Sequence, residues 1–142
     1  MAETGYASFN TTADKTNRVL KEIEQAYGWP KDRRNMSYAA LRAVLHTLRD
    51  RLTVAEAAHL GAQLPMLIRG IYYEGWDPDR VPVKMSREDF LDRVQREFRF
   101  RVDGGAELLM QRVLDALRTH ITDGECQDVE ATVSRDLASV LP

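Results

Sequence analysis

The residues best suited to binding chemistry lie in one segment, Arg69-Gly-Ile-Tyr-Tyr-Glu-Gly-Trp76. Tyrosine, tryptophan and arginine dominate binding surfaces because they offer large rigid contact areas with polar tips. The candidate ligand- or partner-binding residues are Arg69, Tyr72, Tyr73, Glu74 and Trp76. Two other interpretations stay open: the aromatic side chains could anchor the chain over the core as it leaves a helix, or Arg69 and Glu74 could serve catalysis.

The rest of the sequence carries no recognisable catalytic or metal-binding motif. His46, His59 and His120 are not spaced as metal ligands are in motifs such as His-Glu-x-x-His. The sequence also contains no Gly-x-x-x-x-Gly-Lys phosphate loop and no Gly-x-Ser-x-Gly nucleophile elbow. We therefore expect a non-enzymatic protein with no catalytic residues, no metal and no cofactor.

Composition and charge narrow the class of partner. The formal net charge is −2 over 142 residues, so no global positive field attracts nucleic acid or an anionic membrane. No segment approaches the roughly 20 apolar residues that a membrane span needs. Cys126 is the single cysteine, which suits a reducing compartment. The sequence therefore predicts a cytoplasmic protein that binds neither nucleic acid nor membrane.

An internal repeat indicates the elements that must position these residues. When the chain is aligned with itself, Val44, Leu45, Leu48 and Arg49 meet the identical residues Val113, Leu114, Leu117 and Arg118. In the same alignment the capping-box pair Thr53 and Glu56 meets the pair Thr122 and Glu125. This pattern predicts a duplicated helical unit, in which Arg49 and Arg118 are interpreted as helix-end cations rather than as anion ligands. The aromatic segment is peculiar to the first copy.

Apolar stripes at three-to-four spacing predict an all-α, internally duplicated bundle of two units with about four helices each. The predicted helices run from near Thr12 to Tyr27, over Met36–Leu52, from the Thr53 cap to Leu64, and over Pro65–Tyr73, Arg87–Phe98, Ala106–Ile121, a seventh segment after Thr122 and Ser134–Leu141. The predicted boundaries are a mobile tail at 1–12, a first unit at 13–76, a linker at 77–85 and a second unit at 86–142. The units could stack on one another or interlock in one compact domain about a pseudo-twofold axis.

Several strings of residues resemble the bacterial domain-of-unknown-function family 2267. They are Leu41-Arg-Ala-Val-Leu-His-Thr-Leu-Arg-Asp-Arg-Leu52, Glu56-Ala-Ala-His-Leu60, Ala62-Gln-Leu-Pro65 and the segment Arg69–Trp76. The likeness is dense over 19–76 and continues more weakly over 90–141. The resemblance implies a small all-helical bacterial protein of a family without an established activity, some members of which occur beside or fused to phosphoribosyltransferase-like domains. It supplies no catalytic residues.

These observations favour a non-enzymatic cytoplasmic interaction or regulatory module whose contact surface is the segment Arg69–Trp76. Its partner would be another protein or a second copy of the chain. The alternative is a binder of a small anionic or nucleotide-like ligand, or an accessory domain that acts with a phosphoribosyltransferase-like protein.

Overall fold

The computed structural model describes residues 5–119, and over this range the protein is all-helical with no strand. The helices are α1 (Ala7–Tyr27), α2 (Arg34–Arg51), α3 (Val54–Gln63), α4 (Met66–Tyr73), α5 (Arg87–Phe98) and α6 (Gly105–Thr119), with short 3-10 turns at Lys31–Arg33 and Pro78–Arg80. The all-α prediction is confirmed for these residues. The predicted seventh and eighth helices and their Thr122–Glu125 cap lie outside the described residues.

Helix α1 begins at Ala7, earlier than the predicted start near Thr12, so residues 7–12 are helical rather than part of a tail. No side chain caps this helix start, which is why the sequence gives no signal there. The Thr11 hydroxyl donates to the Ala7 carbonyl at 3.0 Å, within the added turn. At the other end the helix stops as predicted, at Gly28, whose φ of 70° is the left-handed conformation that glycine adopts without strain.

Helix α2 is the centre of the bundle. It packs against α1, α4, α5 and α6, and its aliphatic side chains from Ala40 to Leu48 are almost completely buried. The prediction that Leu48 and Leu117 are core residues is confirmed, since they are 3% and 2% exposed. Other helix pairs bring α1 against α6 and α5 against α6, so that the two predicted units share one core over the described range.

Helices α3 and α4 form a short arm that covers one side of α2. The predicted capping box starts α3: Thr53 Oγ1 accepts from the Glu56 amide at 3.2 Å, and Glu56 Oε1 accepts from the Thr53 amide at 3.0 Å. Pro65, which the sequence places first in the fourth helix, precedes it as the N-cap residue. A turn of only two residues between the helices keeps the arm compact and delivers the aromatic segment to the surface of α2.

The connection from α4 to α5 is tied to the end of α2. The Val83 amide donates to the Asp50 carbonyl at 2.7 Å, and Met85 is buried in the common core. Ser86 then starts α5 by accepting a hydrogen bond from the Asp89 amide, as expected for a cap. The segment predicted as a linker is therefore held at Val83 and Met85, while most of its other residues are exposed.

Candidate binding surface

Arg69, the first residue of the candidate segment, caps the neighbouring helix. Its Nε donates to the Gly61 carbonyl at 2.9 Å, and its Nη2 donates to the Leu64 carbonyl at 2.8 Å. These carbonyls lie at the C-terminal end of α3, where the helical hydrogen-bond pattern runs out and the Gly61 carbonyl also accepts from the Leu64 amide at 3.1 Å. Arg69 thus joins α4 to α3, and the structure gives its donors a structural use.

Tyr72 is also an anchor. It is 0% exposed, and its hydroxyl donates to the Ala57 carbonyl at 2.8 Å. This bond satisfies the polar end of an otherwise buried ring, as aromatic hydroxyls in protein cores require. Of the five candidate residues, Arg69 and Tyr72 therefore hold the arm together.

Arg49 fixes the C-terminal end of α4 from below. Its Nη1 donates to the carbonyls of Tyr72 and Glu74 at 2.7 and 2.6 Å, although the residue lies on α2 and is only 5% exposed. Gly75, which follows Glu74, has a φ of 79°, and this conformation turns the chain sharply over the Arg49 guanidinium. The path of residues 72–76 is thus set by a side chain from another helix.

The charge of Arg49 is balanced within a cluster that sequence analysis did not predict. Its Nε donates to Asp50 Oδ1 at 3.0 Å, while Asp50 Oδ2 accepts a hydrogen bond from Arg93 of α5. Asp50 and Arg49 are both buried, so each charge depends on the others for the solvation that water would otherwise provide. We call Arg49, Asp50 and Arg93 the charge cluster. It joins α2, α4 and α5 directly beneath the candidate segment.

His46 adds a second connection between α2 and α4. Its Nε2 lies 2.6 Å from the Ile71 carbonyl, and because a carbonyl can only accept, this nitrogen carries the proton. Burial lowers the pKa of His46 below its usual value, against the hydrogen bond to Ile71, and the positive charge of Arg49 lowers it further. The ring is therefore held neutral, and it was not recognised in the sequence because a lone histidine has no distinctive spacing.

The remaining three candidates face outwards together. Tyr73 and Trp76 are half-buried with ring centroids 5.3 Å apart, and Glu74 between them is exposed. Glu74 Oε1 accepts from Nε and Nη2 of Arg42 at 3.2 and 2.9 Å, and this ion pair raises the pKa of the Arg42 guanidinium. We call Tyr73, Glu74, Trp76 and Arg42 the aromatic rim.

Two details of the aromatic rim concern its packing. The Trp76 Nε1 is buried and has no hydrogen-bond acceptor among the described residues. The Tyr73 ring lies directly over Gly61 of α3, so closely that a Cβ there would be 2.7 Å from the Tyr73 Cζ. The rim therefore rests on a position that only glycine can occupy without moving the ring.

A shallow groove continues the aromatic rim along α2 and α5. Its volume is about 290 Å³, and its lining residues are Tyr38, Ala39, Arg42, Ala43 and Glu97. Arg42 belongs to both surfaces, and Tyr38 is 40% exposed. The sequence did not single out this groove, because its residues come from two helices and none has an unusual spacing.

The described residues contain no group of histidine, cysteine or acidic side chains arranged to hold a metal ion. Among the described helices, none combines the length and the apolar character required to cross a membrane. The surface itself offers the half-buried rings of Tyr73 and Trp76 and the exposed ion pair of Arg42 with Glu74.

The fold and the surface define a class of protein, an all-helical bundle that presents a fixed aromatic surface above buried charges. A family model described as an uncharacterized conserved protein (DUF2267) matches residues 16–140. The chain therefore belongs to the DUF2267 family, which confirms the resemblance found in the sequence. No curated protein matches the chain.

Proposed function

We propose that this protein is a non-enzymatic interaction module of the cytoplasm and that the aromatic rim is its contact surface. The observation that carries the proposal is that a buried arginine of α2 holds the backbone of the aromatic rim in place. Arg49 holds the carbonyls of Tyr72 and Glu74, on both sides of Tyr73, so the rim backbone loses little conformational entropy when a partner binds.

The residue types of the aromatic rim support the same function. Tyrosine and tryptophan are enriched where truncation costs the most binding energy, and here both retain exposed surface. The exposed Arg42–Glu74 pair is easily exchanged for contacts with a partner, because surface ion pairs contribute only about 0–1 kcal/mol to stability. The partner would be another protein or a second copy of this chain. An accessory role beside a phosphoribosyltransferase-like protein would be one form of this function.

The small-ligand alternative has less support at this surface. It relied on Arg69 as a ligand for an anion, and the Nε and Nη2 of Arg69 already donate to carbonyls of α3. The groove beside Arg42 is shallow and contains a glutamate as well as an arginine. The proposal for the aromatic rim therefore favours a macromolecular contact.

We also propose the internal duplication as the origin of the fold. A twofold axis that exchanges α1 with α5 and α2 with α6 would convert the α1–α6 contact into the α2–α5 contact, and both contacts are present. Val44 and Val113, which the repeat aligns, are both completely buried. These contacts favour interlocked units over stacked ones.

The experiment that tests the interaction function is site-specific photo-crosslinking in the host cell. A benzoylphenylalanine at Glu74 should yield a discrete adduct with a protein partner or with a second copy. The same probe at Glu88, an exposed glutamate on α5, is the matched control and should not yield that adduct. Adding Tyr73→Ser should abolish the adduct from position 74. Equal adducts from both positions, or an adduct that survives Tyr73→Ser, would contradict the proposal.

A further inference from the structure

A second surface lies on α1 and the start of α2. It is a groove of about 360 Å³ that is lined by Asp14, Asn17, Arg18, Lys21 and Arg34. The four α1 residues share a face because side chains three and four positions apart are neighbours on a helix. Three cations face two carboxylates, Asp14 in the lining and Glu24 beneath Arg34, so the groove keeps a small local positive charge, although the whole chain has a formal net charge of −2.

Arg34 is held in place by a buried carboxylate. Its Nε and Nη2 donate to the two oxygens of Glu24 at 3.0 and 3.1 Å, and the Ser37 hydroxyl donates to the same carboxylate at 2.6 Å. Glu24 is only 3% exposed, whereas 38% of the Arg34 side chain remains exposed. Burying a carboxylate is costly unless its charge is paired, so this arrangement locks the guanidinium in one orientation. Nη1 takes no part in the pair.

Arg18 and Lys21 have no bonding partner among the described residues. Both are exposed, and neither forms a hydrogen bond or an ion pair with the residues that the structure describes. The groove therefore combines one fixed guanidinium with two cations that can adjust their positions. Arginine and lysine bind phosphate oxygens through charge-assisted hydrogen bonds, and arginine does so in a defined geometry.

We propose that this groove binds a phosphate group, either as the free ion or as part of a small phosphorylated molecule. Arg34 provides the fixed donor, and Arg18 and Lys21 close on the oxygens from α1. The site is separate from the aromatic rim, and it does not depend on the proposed interaction function.

Isotope-labelled protein should be titrated with inorganic phosphate, pyrophosphate and glycerol phosphate at constant ionic strength, and the backbone amide shifts should be followed. We expect saturable shifts centred on residues 14–21 and on 34. Comparison of the three titrations distinguishes free phosphate from phosphate carried by a larger molecule. Shifts that do not saturate, or that spread over all basic residues, would overturn the proposal.

Two double variants that remove the same positive charge distinguish a specific phosphate site from diffuse electrostatic attraction of phosphate to the protein. Arg18→Gln with Lys21→Gln should weaken binding by about tenfold or more, because each loses a charged hydrogen bond. Lys84→Gln with Arg96→Gln removes the same charge from exposed positions outside the groove and should leave the affinity almost unchanged. An equal loss in both variants would overturn the proposal.

The role of Glu24 gives the sharpest distinction. Diffuse attraction predicts that Glu24→Gln tightens binding, since a negative charge is removed, whereas a fixed Arg34 predicts weaker binding. Arg34→Lys tests the same point without a change in net charge. It should also weaken binding, because lysine cannot form the two-point contact with Glu24 that holds the Arg34 guanidinium in one orientation. This variant decides the question if Glu24→Gln does not fold. Unchanged affinity in Arg34→Lys would exclude Arg34 as the fixed donor.

Discussion

At the scale of single residues, the structure separates anchors from contact residues within one short segment. The exposed Arg69 and the buried Tyr72 both donate to carbonyls of α3, while Glu74 is exposed and Tyr73 and Trp76 are half-buried. Residue type alone could not make this separation, because tyrosine and arginine serve both purposes. What decides is which carbonyls of α3 lie within reach of each side chain, and this depends on how α3 packs against α4.

Replacing Arg69 should therefore reduce stability. Arg69→Glu leaves carbonyls at the end of α3 without a charged donor, and we expect it to lower the free energy of unfolding by about 1–3 kcal/mol. The control is Arg101→Glu, at an exposed position in the turn after α5, which should change stability by less than about 0.5 kcal/mol. Urea denaturation measures both. Equal effects would show that Arg69 is an ordinary surface residue.

Two glycines provide a matched test of the aromatic rim. In Gly61→Ala the new methyl group meets the Tyr73 ring, so we expect the ring to shift, tryptophan fluorescence to change and the crosslink from position 74 to be lost. In Gly70→Ala on α4 the new methyl group meets nothing within 4 Å, so we expect stabilisation by about 0.5–1 kcal/mol and an intact rim. If Gly61→Ala behaved like Gly70→Ala, Tyr73 would not be in contact with α3.

At the scale of the elements, local patterns predicted the helices well, and contacts between helices decided the rest. The stripe of α2 and the Thr53–Glu56 capping box follow from spacing within a few residues, and both are present. The predicted start of α1 near Thr12 was wrong, because no side-chain cap marks the actual start at Ala7. The bonds from Arg49 to the end of α4 join residues far apart in sequence, so no local pattern contains them.

The attachment of α4 to α2 should depend on pH through His46. The folded-state pKa lies below the usual histidine value of about 6.5, so the unfolded chain binds the proton more readily. The contribution of His46 to the free energy of unfolding is therefore present above pH 6.5 and is lost as the pH falls from that value towards the lower pKa of the folded state. Urea unfolding at pH 7.5 and 5.5 should show this loss. His59→Gln, at an exposed position, should retain it, whereas His46→Gln should reduce it.

At the scale of the whole molecule, the described helices share a single core, and α2 contributes most of its centre. Long-range links such as the one from Asp50 to Arg93 tie the two predicted units together. The presence of a core could be predicted from apolar periodicity. That all the described helices share this core could not be predicted, because the same stripes would also allow two units to stack.

Because the described helices share one core, truncating a single side chain at its centre should destabilise all of them together. Leu48→Ala should lower the free energy of unfolding by about 2–5 kcal/mol, through lost burial and the cavity left behind. Thr53→Ala removes only a helix cap and should cost about 1 kcal/mol. Chemical denaturation followed by circular dichroism should show one transition for each variant. The reverse order of effects would contradict the assigned core and cap.

The hold of Arg49 on the end of α4 has a consequence for attempts to imitate this protein. The shape of the rim is imposed from a different helix, so a synthetic peptide with the sequence of α4 and the following turn would lack the guanidinium that bends it. Such a peptide would be a poor competitor for a binding partner, and antibodies raised against it would recognise the folded protein weakly. A useful mimic must carry the relevant part of α2 as well.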